Sequence, residues 1–273
     1  MQYKYLILEK LYIKLIKGSS EYTYLLFQNF MQQKNQEDSI MENKLLILLV
    51  SLFTFGFTSA AGIMKKESLT EKEQKIVMIS AFTAGGNLEK LNKALNEGLD
   101  AGLTVNEIKE VLVHLYAYCG FPRSLNGLAT FMEVLKDREA RGIKDQAGKN
   151  STPIPKDRDS VKYGTDVQTE LVGMPVTGEI YSFAPDIDEY LKGHLFGDIF
   201  GRDILDYRTR EIVTISALAS MNDVNPQLAG HFNIGMNTGI TKEEIEEIIV
   251  IFKEKINRKQ ADNAEKVFES VQK

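Results

Sequence analysis

Few side chains in this sequence could do chemistry of their own. There are three histidines, His114, His194 and His231, and a single cysteine, Cys119. An imidazole titrates near neutral pH and suits proton transfer. A lone thiol reacts only where its thiolate is stabilised. One cysteine excludes an intrachain disulfide framework and any cysteine-rich metal site. The three histidines are scattered, so a zinc site would need carboxylates from elsewhere. No metal and no cofactor is therefore expected. His114 follows Glu110 by four residues, the spacing of neighbours on one helix face, which reads as a structural pair. His194 lies in "KGHLFGDIFGR", whose glycines suggest a packed turn and whose spacing is not that of a phosphate-binding loop.

The elements that must position these groups come in two copies. "IVMISA" at residues 76–81 returns as "IVTISA" at 212–217, an offset of 136. "GLTVNEIKEVLV" at 102–113 returns as "GITKEEIEEIIV" at 239–250, an offset of 137. Self-similarity at a fixed offset marks a repeated structural unit. In the first copy, Ile76, Ile79 and Phe82 keep near-helical spacing from Glu71 to Thr83, and "AGG" at 84–86 breaks the run. Leu88, Leu91, Leu95 and Leu99 then form the next apolar stripe. Gly102 supplies a helix stop, and Thr104 with Glu107 forms a capping box for the following helix. Gly239, Thr241 and Glu244 repeat the device in the second copy. Apart from a weak strand pattern in "EIYSF" at 179–183, nothing alternates, so the fold is predicted to be all-α, with the two copies packed as a pseudo-symmetric pair. Residues 66–143 make the first repeat and 185–273 the second. The polar, proline-bearing stretch 144–184 reads as a linker or arm. Ala261, Ala264, Val267, Phe268 and Val271 predict a closing charged helix.

Ahead of the repeats, "MENKLLILLVSLFTFGFTSAAG" runs from Met41 through an apolar stretch, Leu45 to Phe57, to small residues at Ser59, Ala60 and Ala61. That is the layout of an export signal at 41–61, too short to span a bilayer. It predicts a mature chain starting near Gly62, periplasmic or secreted, with no stable membrane anchor after cleavage. Residues 1–40 then read as a mis-assigned upstream extension. The net charge of −5, without a basic stripe, argues against nucleic acid as a partner.

"VHLYAYCGFPRSLNGLATFMEVL" at 113–135, "IDEYLKGHLFGDIFGRDILDYRTREIVTISAL" at 187–218 and the following "NPQLAGHFNIGMNTGITKEEIEEII" together resemble the carboxymuconolactone decarboxylase family. The resemblance covers most of residues 69–252. It implies an alkylhydroperoxidase D-like helical fold and a homo-oligomer. It also implies cofactor-independent acid/base carboxy-lyase chemistry on a small carboxylic acid or lactone. Such a decarboxylation leaves an enolate that must be stabilised and then protonated on carbon. The copies differ where this matters: the second has Glu211 and His231 where the first has Lys75 and Ala94. One shared site follows, with His231 as proton donor and Glu211 orienting it. Arg208, Arg210, Arg123, Tyr118 and His194 are the candidates for holding substrate. For Arg208 and Arg210 a solvated surface pair is the competing reading. An alkylhydroperoxidase-like, peroxiredoxin-type peroxidase using Cys119 is the alternative activity, although the family's Cys-x-x-Cys positions are Val224 and Gln227 here. A non-catalytic ligand-binding module is the third.

Overall fold

The repeated "IVMISA" and "IVTISA" segments become the two central helices. A computed structural model of the chain describes residues 68–272, and within them all regular elements are helical. The stretch read as an export signal lies outside the described residues. The first copy comprises α1 (Glu71–Gly85), α2 (Leu88–Asp100), α3 (Val105–His114) and α4 (Tyr116–Ala140, interrupted at Gly120). The second comprises α9 (Tyr207–Ala219), α10 (Asn225–Asn237), α11 (Lys242–Ile251), a short π-helical α12 (Phe252–Ile256) and α13 (Arg258–Val271). Between them lie α5 (Ser160–Val172), the five-residue α6 (Glu179–Phe183) and α7 (Pro185–Glu189), and a π-helical α8 (Tyr190–Ile199). The described residues form one unit.

Helices α1 and α9 pack against each other. From Ile76 to Ala84 and from Arg210 to Ala219 every residue is buried, so neither helix has a solvent face. That is the pattern of helices at the centre of a bundle. The capping boxes form as predicted at Thr104–Glu107 and Thr241–Glu244, and a third closes α1 at Thr70–Glu73. Gly102 and Gly239 both take positive φ, 91° and 94°. The helix-to-helix spacing is also repeated. A side chain on Gly98 would meet Ile79 and Leu103 at 3.1 Å, and one on Gly235 would meet Ile215 at 2.9 Å and Ile240 at 3.2 Å. These are the same positions of the two copies, so in each the missing side chain lets the neighbouring apolar side chains pack close to the helix. In α13, Ala261, Ala264, Val267 and Phe268 are buried as expected.

The stretch 144–184 is tied down. The amides of Val105 and Asn106 donate to the carbonyls of Gln146 and Ala147. Helix α5 packs on α8, whose Gly193 and Gly197 admit Val161 and the Ser160 carbonyl. The glycines of "KGHLFGDIFGR" thus serve packing. The weak strand pattern at 179–183 is corrected: these residues form α6, because no partner strand exists among the described residues to take their backbone groups.

Candidate active site

The site is built where α3 and α4 of the first copy meet α9 and α10 of the second. Asp206 caps α9 by accepting from the Thr209 amide, which places Arg210 and Glu211 in the next turn. Because α9 is buried all round, both charged side chains point into protein.

Glu211 is completely buried, and its Oε2 lies 2.7 Å from Nδ1 of His231 on α10. With the carboxylate accepting from Nδ1–H, Nε2 is the ring nitrogen left for exchange with a substrate. His231 keeps 13% of its side chain exposed, so the pair reaches solvent through the imidazole. Tyr118, at the start of α4, sets its ring edge-on to His231 with centroids 5.5 Å apart. Its buried hydroxyl has no hydrogen-bond partner, and neither does Oε1 of Glu211. The Thr214 hydroxyl is its polar neighbour, without the geometry of a full hydrogen bond. Burial first, and the Glu211 charge second, push the Tyr118 phenol far above its usual range. It therefore stays a neutral O–H donor at any working pH.

Behind this pair runs a second buried array that crosses between the copies. Arg210 Nη2 donates to Glu110 Oε1 at 2.7 Å and to the Arg202 carbonyl at 2.9 Å. Arg202 Nε reaches both Glu110 oxygens, at 3.0 and 2.9 Å. Arg210 Nη1 and His114 Nδ1 are 3.2 Å apart, and His114 Nε2 is 2.9 Å from Thr214 Oγ1. The Thr214 hydroxyl donates to the Arg210 carbonyl, so its oxygen must accept from His114 Nε2–H. Nδ1 is then the acceptor for Arg210, which makes His114 a neutral imidazole with both nitrogens used. Its pKa is held well below the ordinary value by burial first, then by the charges of Arg210 and His231. Burial likewise lowers the pKa of Arg210, against the raising effect of Glu110.

The sequence-level candidates divide. Glu211, His231 and Tyr118 come together. Arg210 does not hold substrate and is no surface residue: it is wholly buried and committed to Glu110, since α9 has no solvent face. Arg208 pairs with Glu73 at 3.0 Å and Glu244 at 2.7 Å and donates to the Gly239 carbonyl, so its fork is occupied. His194 is half exposed and bonded to Asp198 at 3.0 Å, one turn along its own helix. Arg123 is exposed, packs over Gly86, and makes no ion pair among the described residues. Cys119 Sγ lies 3.1 Å from the Leu115 carbonyl, and burial, partly offset by Arg123, pushes its thiol up to about 11. That is the opposite of an activated thiolate.

Sequence reasoning passed over Arg202 and Thr214, and read Glu110 only as the helix-face neighbour of His114. A signal existed. Glu110 and Glu247 occupy the same position of the two copies, as do Gln74 and Arg210. Gln74 Nε2 donates to Glu247 Oε1 at 3.0 Å, the mirror of the Arg210–Glu110 bond. An acid retained at one position of both repeats pointed to a bond across their interface.

The family model of the carboxymuconolactone decarboxylase family matches residues 53–132 and 185–251. A Saccharomyces cerevisiae protein named peroxisomal protein 2 is 27% identical over 164 residues, 52% of this chain. The chain spans 58% of that protein's length. The 4-carboxymuconolactone decarboxylase of Acinetobacter baylyi is 28% identical over 98 residues, which is 34% of this chain and 72% of that one. A solved Burkholderia xenovorans structure, described as a candidate gamma-carboxymuconolactone decarboxylase subunit, shares 16% identity and a TM-score of 0.46, covering 86% of this chain and 92% of the other.

Proposed function

The chain belongs to the carboxymuconolactone decarboxylase family, and on that footing we propose that it is an acid/base carboxy-lyase acting without a cofactor on a small organic acid or lactone. The observation that carries this reading is the 2.7 Å bond between the buried Glu211 carboxylate and His231 Nδ1, with the outer imidazole nitrogen left for substrate. In this scheme Glu211 fixes the ring, and His231 delivers a proton from Nε2 to the carbon that has lost carbon dioxide. The electrons of the broken carbon–carbon bond pass into an enolate, whose oxygen accepts from the Tyr118 hydroxyl. Arg123, exposed and without an ion pair among the described residues, is assigned to hold a carboxylate that stays on the product.

The test is turnover of carboxymuconolactone by wild type, His231→Gln and Glu211→Gln, followed as loss of substrate absorbance. Each substitution is expected to reduce turnover by roughly 10²–10⁴-fold, the usual contribution of a positioned proton-transfer group, with the far-ultraviolet helical signal unchanged. Undiminished turnover, or an equal loss of helicity, refutes the assignment.

A further inference from the structure

The two copies serve as controls for each other at the site as well as in the core. On α2 and α10 the buried faces agree position by position: Leu91 with Leu228, Leu95 with Phe232 and Gly98 with Gly235. Two neighbouring positions differ together. The copy that lacks the imidazole carries Lys93 and Ala94, and the copy that has it carries Gly230 and His231. Lys93 is 80% exposed and reaches Glu97 at 3.8 Å, so a repeat of the same build accepts a long side chain at this helix position.

Nothing in the packing asks Gly230 to be glycine. It lies inside α10, where glycine costs helix stability relative to alanine, and its φ is not positive. A Cβ there would meet nothing within 4 Å beyond its own stretch of helix, whereas the other glycine of α10, Gly235, is kept small by Ile215 and Ile240. The empty space borders the Glu211–His231 pair. His231 is next in the chain. Ile234, one turn on from Gly230 along the same face of α10, is buried in the cluster of Phe196 and Phe200 against which Tyr116 and Tyr118 also pack. Tyr118 in turn meets the His231 ring edge-on. The bare backbone at Gly230 therefore lies on the side of α10 that the tyrosines face, at a site where the Tyr118 hydroxyl and Oε1 of Glu211 are buried without partners.

We propose that Gly230 is a specificity-determining position: its missing side chain holds open the approach to His231, and a flat part of the substrate, away from the reacting carbon, lies over the α10 backbone there. The substrate's part in this rests on the acid/base reading above; the open approach does not, since it is a matter of space alone. Glycine here gives up helix stability and leaves room that no neighbouring helix fills, as expected where a ligand comes close to the backbone. The class of substrate that fits is an acid whose remote end is a flat ring, a lactone included. An acid branched at that end would run into the helix.

Three variants test this: Gly230→Ala, Gly230→Leu and, in the first copy, Lys93→Gly. Each is read by melting temperature, by kcat and KM on carboxymuconolactone, and by the rate at which diethyl pyrocarbonate acylates His231, followed by peptide mass. Gly230→Ala is expected to raise the melting temperature by ~1–4 °C, from the better helix propensity of alanine in a domain of this size. Gly230→Leu is expected to keep the helical spectrum and at least the wild-type melting temperature, while kcat/KM falls by roughly 10–200-fold, the scale of a misfitting methylene group. The loss should sit chiefly in KM, because the contact is remote from the reacting carbon. Acylation of His231 should slow in the same variant. Lys93→Gly should lower the melting temperature and leave turnover and acylation as in wild type. A Gly230→Ala protein less stable than wild type overturns the proposal, because the glycine would then serve packing. So does Gly230→Leu with wild-type acylation of His231, or with an unchanged KM. If wild type leaves carboxymuconolactone unconsumed, it is the carboxy-lyase reading that fails, and the acylation rates alone decide: slowed in Gly230→Leu they uphold the open approach, unchanged they end it.

Discussion

Replacing Glu110 by Gln tests the cross-copy array most sharply. Glu110 is the counter-ion of Arg210, which has no exposed surface, and of Arg202, which is partly exposed. In the variant, Arg210 stays charged and buried, now facing Arg202 with no anion between them. Removing one partner of a buried ion pair costs about 3–5 kcal/mol, mostly the uncompensated charge left behind. At 2–4 °C per kcal/mol for a domain of roughly 200 residues, the melting temperature should fall by about 6–20 °C. The molecule supplies the control. Glu247 sits at the same position of the second copy but among the described residues accepts only from neutral donors, Gln74 Nε2 at 3.0 Å and the Leu69 amide at 2.9 Å, and it is half-buried. Glu247→Gln keeps an acceptor there and should cost about 0.5–1.5 kcal/mol, the value of an ordinary hydrogen bond. Urea denaturation followed by circular dichroism, analysed for both variants, gives the comparison. Equal losses, or a loss below 1 kcal/mol for Glu110→Gln on the same ordinary-bond scale, would refute the claim that a buried charge pair joins the copies.

Two further outcomes follow from displaced pKa values. His114 stays neutral when folded but charges near the ordinary imidazole value of about 6.5 when unfolded. The unfolded state thus binds the extra proton. Stability is fully present above about pH 6.5 and falls as pH drops below it, by at most ~1.4 kcal/mol per pH unit from this group. His114→Gln should flatten that part of the profile between pH 5 and 7 on the scale of an imidazole's titration; a wild-type-minus-variant difference independent of pH rules the explanation out. Cys119, with its thiol near 11, should alkylate slowly at neutral pH and keep accelerating past pH 9 in folded protein. A labelling rate that already levels off near pH 7 would show an activated thiolate and revive the peroxidase alternative.

Much of the architecture was legible in the residues because its determinants are local. Thr104 with Glu107 and Thr241 with Glu244 satisfy helix-start amides three residues away, and Gly102 and Gly239 supply a backbone conformation that other residues resist. Their recurrence at one offset revealed the duplication without any coordinates. The Glu211–His231 pair was readable for the same reason: these residues differ from Lys75 and Ala94 in the matched copy, and a difference between repeats stands out from a shared background.

Partnership across the copies was decided in three dimensions. Nothing within a few residues of Arg210 distinguishes a surface guanidinium from a buried one. Its fate depends on whether α9 keeps a solvent face, and the packing of α1 against α9 removes it. His114 acquires its tautomer from Arg210 and Thr214, about a hundred residues away in sequence, and His194 is turned outward to Asp198 by the winding of its own helix. Caps and apolar spacing act through neighbours along the chain and so are written in order. Burial of a charge and the choice of its counter-ion act through neighbours in space, which exist only once the two halves have closed.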